Sequence, residues 1–309
     1  VGDRYEVNLP FRSDPKEIIL PSNFGLAWGR LRSTKNSLSK NFENLKRYDS
    51  IIKEQLDLGI IEEVKDIKIN SSPLHYLAHQ PVFKADKNPS LNDLLFPGPM
   101  LMNDLIGVLL RFRLPKIVVV CDIAKAFMQI KITPEHRDSN RFLWLKTIYK
   151  PFSAQNIQCY RFTRVSFGLT CSPYLLAATI THHLNQYKNT LSEEIAQNIY
   201  VDNILFSAIK IDEAKQKCSE AINIFNEASM PLREFASNEE KAIEHLPTSH
   251  KLIGTKQKFL GISWDTSMDE LSLALNPFTE QKINKKANPC IFGITLRPFG
   301  LIRPATSPY

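Results

Sequence analysis

Apolar residues recur at three- and four-residue spacing over 42–58, at Leu45, Tyr48, Ile52 and Leu56, and this pattern predicts an amphipathic helix. Gly59 follows directly and is placed to end it, because glycine takes the left-handed conformation after a helix without a steric penalty. Further helices are predicted over 102–110, beyond the Pro97-Gly98-Pro99 break, and over 212–228. Another begins near Pro173, where proline is accommodated in the first turn. Apolar runs predict strands over 116–122, 141–146 and 160–165, and a short helix-like stretch fits 124–130. The run 199–207 reads as a hairpin turning at Asp202 and Asn203, since both residue types tolerate the positive φ of tight turns. A strand pair around Gly261 is predicted within 252–264, and 73–83 reads as extended. The first forty residues, punctuated by Pro10, Pro15, Pro21, Gly25 and Gly29, read as irregular. Strands interspersed with helices, without an internal repeat, define an α+β chain.

At 309 residues the chain can bury a large core, as one large domain or two packed subdomains. A net charge of +7 and a pI near 9.0 favour a polyanionic partner. The charge is concentrated: six basic residues face one acid, Glu43, between Arg30 and Arg47, and five basic residues follow Gln281 with no acid. A solvated helix face is the plainer account of the first cluster. The five cysteines (Cys121, Cys159, Cys171, Cys218, Cys290) form no C-x-x-C pair. They read as reduced structural thiols in an intracellular, cytoplasmic protein, which argues against a zinc site or a disulfide framework. No apolar run approaches the ~18 residues that span a bilayer, so no membrane partner is expected. The chain opens on Val1 with no signal-peptide pattern and reads as a segment of something longer.

Two aspartates carry the chemistry. Asp122 ends the run Ile117-Val118-Val119-Val120-Cys121, and Asp202 lies within Ile199-Tyr200-Val201-Asp202-Asn203-Ile204-Leu205-Phe206. Carboxylates at the tips of two strand-like runs suit hard divalent cations, which activate an attacking hydroxyl and stabilise leaving oxygens in phosphoryl chemistry. An ordinary hairpin turn is the alternative for Asp202 and Asn203 taken alone.

Around these residues the chain resembles reverse transcriptases, most closely those of Pao/BEL-type LTR retrotransposons. The resemblance runs in order through Tyr5-Glu6-Val7-Asn8-Leu9-Pro10-Phe11, Gly59-Ile60-Ile61-Glu62, Ser90-Leu91-Asn92-Asp93 and Leu110-Arg111-Phe112-Arg113. It continues through Cys121-Asp122-Ile123-Ala124-Lys125-Ala126-Phe127, Arg141-Phe142-Leu143-Trp144, Arg161-Phe162-Thr163-Arg164-Val165-Ser166-Phe167-Gly168 and Tyr200-Val201-Asp202-Asn203. Phe259-Leu260-Gly261-Ile262 and Pro298-Phe299-Gly300-Leu301-Ile302 complete the series.

The resemblance implies a right-hand polymerase fold: an extension over 1–41, fingers over 42–115, palm over 116–265 and the start of a thumb over 266–309. It implies an RNA-directed DNA polymerase using Mg²⁺, with Mn²⁺ as a substitute. Its partners would be an RNA or DNA template-primer duplex, deoxynucleoside triphosphates and other segments of a retroelement polyprotein. Asp122 and Asp202, with the carbonyl of Ile123, match the metal ligands. Phe127 matches the gate against ribonucleotides, Phe167 and Gly168 the segment beside the incoming nucleotide, and Phe259, Leu260 and Gly261 the primer grip. Arg30, Arg32, Lys35, Lys282, Lys285 and Lys286 are candidate phosphate contacts.

Two departures bear on activity. Asn203 stands where the family places a second aspartate, and a basic fingers hairpin is missing between Lys84 and Ser90, leaving Lys84 and Lys87 as the nearby cations. A catalytically dead remnant that at most binds nucleic acid, or persists as a folded relic, is therefore the alternative to an active polymerase. Other features read as structural. His182 and His183 are adjacent and cannot face one way on a helix. Trp144 and Trp264 read as core, and Lys125 and Arg164 as surface charges. Asp265-Thr266-Ser267 lacks the glycine and flanking apolar strands of an aspartic-protease turn.

Overall fold

A computed structural model of the chain describes residues 4–14, 20–65, 73–78 and 91–272. In chain order its elements are β1 (Glu6–Val7), α1 (Phe24–Leu38), α2 (Phe42–Asp57), β2 (Ile61–Glu63), α3 (Leu91–Leu94) and α4 (Leu105–Arg113). They continue with β3 (Ile117–Ile123), β4 (Lys131–Ile132), β5 (Arg141–Leu145), β6 (Ile157–Phe162), α5 (Ser172–Leu184) and α6 (Thr190–Asn198). The last are β7 (Asn203–Ala208), α7 (Ile211–Glu227), β8 (Leu232–Ser237), β9 (Lys256–Phe259), β10 (Ile262–Asp265) and β11 (Glu270–Ser272). Among the described residues two compact units interleave along the chain, one formed by 102–124 and 183–272 and the other by those within 4–101 and 125–182.

In the first unit β3 is the centre of a three-stranded sheet of order β7-β3-β8, antiparallel on both sides. Its unbroken apolar run reflects burial on both faces. Val118 and Val120 join Val108 and Phe112 of α4 and the buried Trp264 in one core. On the opposite face burial pushes the Cys121 thiol up, with Cys218 of α7 adding to the shift. Helix α4 starts three residues later than the apolar pattern indicates, because Asp104 caps it by accepting the Gly107 N–H at 2.7 Å. The polar sequence of α6 hid that helix. Asn189 caps it, accepting the Ser192 N–H at 2.7 Å.

In the second unit a sheet of order β2-β6-β5 is packed by α1 and α2. Leu31, Leu45, Ile52, Tyr76 and Trp144 belong to its core, and the Trp144 Nε1–H donates to buried Asp49 at 2.9 Å. Helix α1 replaces the irregular segment expected from Gly25 and Gly29. Its buried positions Ala27, Leu31 and Thr34 keep helical spacing, and packing overrides the glycine cost. Helix α2 ends as expected: Gly59 is left-handed (φ 63), with Gly59 N–H to the Leu56 carbonyl and Ile60 N–H to the Gln55 carbonyl, both at 2.9 Å. Strand β6 lies three residues before its expected position, and the stretch expected as helix-like holds a 3-10 turn, Ala126–Gln129. Residues 79–83, Lys84, Lys87, Cys290, Lys282, Lys285 and Lys286 lie outside the described residues.

Candidate active site

Asp122 is the penultimate residue of β3 and pairs across the sheet with Asn203, the first residue of β7. The Ile123 N–H donates to the Asp202 carbonyl at 3.0 Å, so the two aspartates meet at the same end of the β3–β7 ladder. The turn differs from the expected hairpin. Tyr200 and Asn203 exchange both backbone hydrogen bonds, at 2.9 and 3.0 Å, leaving Val201 and Asp202 as the turn pair. The positive φ falls on Val201, at 58°, a strained position for a β-branched residue. Helix α6 ends at Asn198, two residues before Tyr200, so the turn has only one full strand, β7.

The two carboxylates oppose one another. Burial pushes Asp122 up to about 6, the Asp202 charge adds to the shift, and Arg233 counters it. Burial also raises Asp202, against the stabilising pull of its own backbone N–H, Arg233 and the Asn203 amide. Asn203 Nδ2 donates to Asp202 Oδ1 at 3.0 Å, and Arg233 Nε donates to Asp122 Oδ2 at 3.2 Å. Thus one oxygen of each carboxylate is already engaged. Beside them is a cavity of about 310 Å³ whose lining includes Cys121, Asp122, Asn203, Glu234, Lys256 and Phe259.

Asp122 and Asp202 are the residues that could hold a divalent cation here. Two hard carboxylates whose ionised forms repel each other, with the Ile123 backbone beside them, are what a cation would stabilise. A second ion lacks a carboxylate at position 203, where the amide is neutral. Among the described residues no three His, Cys, Asp or Glu are grouped so as to hold a metal ion.

The remaining expected residues are placed as follows. Phe127 is buried in the 3-10 turn and meets Phe167 edge-on at 4.9 Å between ring centroids, with Phe167 itself exposed. Gly168 is left-handed (φ 94); its carbonyl accepts Asn92 Nδ2 at 2.8 Å, while Asn92 Oδ1 accepts the Thr170 N–H at 3.0 Å. Asn92 thus fixes the turn after Phe167, a role its motif gave no sign of. Leu260 and Gly261, both at positive φ (50° and 84°), form the two-residue turn between β9 and β10. The Phe259 ring points into the core, stacked on Phe112 at 4.9 Å.

On α1, Arg32 is exposed, Arg30 and Lys35 are partly buried, and Lys35 Nζ donates to the Lys150 carbonyl at 3.1 Å. Lys125 is a surface charge paired with Glu54 at 3.2 Å. Arg164 is not one. It is partly buried with Nε and Nη1 unpartnered, and burial, with Arg4 and Arg137 nearby, lowers its pKa to about 10. The histidines diverge, His183 to the Ile224 carbonyl and His182 to the Tyr5 ring.

The geometry agrees with sequence comparison. The chain belongs to the reverse transcriptase (RNA-dependent DNA polymerase) family, whose profile matches residues 62–254, more than half of it. It is α+β and of the right-hand polymerase fold class of that family. Among solved structures it is similar to the foamy viral protease-reverse transcriptase in complex with double-stranded DNA, at 18% identity and a TM-score of 0.47, covering 74% of this chain and 34% of that one. It is similar also to the same viral protein in complex with an RNA/DNA hybrid, at 19% identity and a TM-score of 0.47, covering 76% of this chain and 27% of that one. The chain therefore spans between about a quarter and a third of those structures' length. No curated protein matches it.

Proposed function

We propose that the chain is the polymerase segment of a Pao/BEL-type LTR retrotransposon reverse transcriptase, with a site built for one divalent ion and weakened for the second. The observation that carries this is the convergence of Asp122 and Asp202 at one end of the β3–β7 ladder, inside the stretch matched to the family. Asp122, Asp202 and the Ile123 carbonyl would hold Mg²⁺ or Mn²⁺. When bound, such an ion would stabilise the negative charge that develops as a 3′-hydroxyl attacks a phosphoryl group. Within the chain, Phe127 would crowd a ribose 2′-hydroxyl, and the Asn92-fixed turn at Phe167 and Gly168 would flank an incoming deoxynucleoside triphosphate. The Leu260-Gly261 turn would guide a primer. The family's template-primer duplex and the remaining segments of a retroelement polyprotein are the proposed partners, in an intracellular setting. The subdomains are proposed as fingers over 42–115, palm over 116–265 and thumb from 266, with both aspartates in the palm.

Asn203 and Arg233 favour a second reading, a remnant that binds nucleic acid without turning over. Primer extension on the purified chain with Mg²⁺ and with Mn²⁺ separates the two. Incorporation that is weak and rises with Asn203→Asp supports an attenuated polymerase. Complete inactivity of both proteins supports the remnant, and strong activity indifferent to Asn203→Asp refutes the site as drawn.

A further inference from the structure

We infer that Arg233 is a resident counter-cation of the carboxylate pair, which a divalent ion must displace from Asp122 in order to bind. The inference rests on the reading of Asp122 and Asp202 as metal ligands. Its basis is a register irregularity in β8. Val120 pairs with Ala236, but Asp122 pairs with Arg233, so that Glu234 and Phe235 together fall opposite Cys121. A regular antiparallel ladder from Val120–Ala236 would set Glu234 opposite Asp122. The extra residue, a β-bulge, therefore exchanges a carboxylate for a guanidinium at that position. The exchange carries a strain cost, since Glu234 adopts φ 55, and the β3–β8 pairing on either side of the bulge maintains it.

The guanidinium then bridges two acids, with Nε at 3.2 Å from Asp122 Oδ2 and 3.6 Å from Glu234 Oε1. The charge of Asp122 is thereby partly offset by the chain itself. A metal ion drawn to the same carboxylate competes for an oxygen that Arg233 already holds, while Asn203 holds one oxygen of Asp202. Arginine suits this post because its planar guanidinium presents several fixed donors to carboxylates. The Arg233 side chain is 45% exposed, so it has room to swing away when displaced.

The test is an equilibrium Mn²⁺ titration of the full chain, reading free Mn²⁺ by electron paramagnetic resonance at low ionic strength. Arg233→Gln should bind roughly tenfold more tightly than the parent, because the metal-free state no longer has a charge-assisted hydrogen bond that the ion must break. Arg233→Lys, which keeps the charge but not the planar fork, should fall between them. Lys256→Gln removes an equal charge from the lining of the same cavity without touching Asp122, and should change the affinity by less than about twofold. An Arg233→Gln affinity equal to or weaker than the parent's overturns the inference. So does an equal gain in Lys256→Gln, which would mark a general charge effect. Asp122→Asn separates the two layers of argument. If it leaves Mn²⁺ binding intact, the metal-ligand reading fails; if it abolishes binding while Arg233→Gln has no effect, only the role of Arg233 fails.

Discussion

At the scale of single residues, the site is a set of charges held in unfavourable proximity. The Asp122 carboxyl titrates near 6 in the folded chain against an ordinary 3.8, because it is buried beside Asp202. The folded state therefore holds this proton more tightly than the unfolded one. The stability it contributes is fully present below about pH 4 and is lost as the pH rises through about 6. A shift of that size corresponds to at most about 3 kcal/mol, and solvent screening reduces it to about 1–2 kcal/mol. In metal-free buffer, Asp122→Asn should raise stability by that amount at pH 8 and leave it unchanged at pH 4, as read from urea melts. A variant less stable than the parent at pH 8 would mean that the Arg233 contact outweighs the repulsion. Asn203→Asp has the opposite character. It adds a further carboxylate beside Asp122, Asp202 and Glu234, so it should lower stability without metal while raising nucleotide incorporation by orders of magnitude, the effect of restoring a preorganised charge worth a few kcal/mol in the transition state. Primer extension and melting on the same preparation check both signs.

At the scale of elements, glycine position decides which segments are legible in the sequence. Gly59 follows a clear apolar stripe and sits at φ 63, so sequence and structure agree on it as a helix stop. Gly29 lies within α1, whose buried face of Ala27, Leu31 and Thr34 holds a small residue and a polar one, too faint a stripe to outweigh two glycines. The same contrast gives a prediction. An added Cβ at Gly29 meets nothing within 4 Å, and no positive φ is required there, so Gly29→Ala should stabilise by about 0.5–1 kcal/mol. A Cβ at Gly59 also has space, but the left-handed backbone makes Gly59→Ala destabilising by about 1 kcal/mol. Urea denaturation should show midpoints moving in opposite directions. The β3 strand is legible because both of its faces are covered, which removes polar interruptions. Arg233 is not, because its position opposite Asp122 depends on the β8 bulge, a property of pairing that the residues of β8 do not announce. Likewise, the turn at Val201 and Asp202 falls one residue before its expected place, since the sequence preference for a left-handed conformation points to Asp and Asn, not to a β-branched valine.

At the scale of the whole molecule, the family is legible from motif order, while the balance between catalysis and binding depends on charges spread over the chain. The net charge of +7 does not come from the carboxylate site, so affinity for nucleic acid should be independent of the defects at Asn203 and Arg233. Phosphate contacts release counterions, and about four of them would weaken binding on the order of a hundredfold between 50 and 200 mM salt. Of the described candidates, Arg32 is exposed on α1, whereas the Lys35 amine is already engaged by the Lys150 carbonyl. Arg32→Gln should therefore lower the salt slope by nearly one unit and Lys35→Gln by less. Filter binding of a primer-template duplex over that salt range measures both slopes. An equal slope in the parent and both variants would move the contact surface off α1. A parent chain with no affinity at about 50 mM salt, the low end of that range, would remove the binding remnant as an alternative, leaving a folded relic that neither binds nor turns over, or a polymerase that needs further segments to hold its substrate.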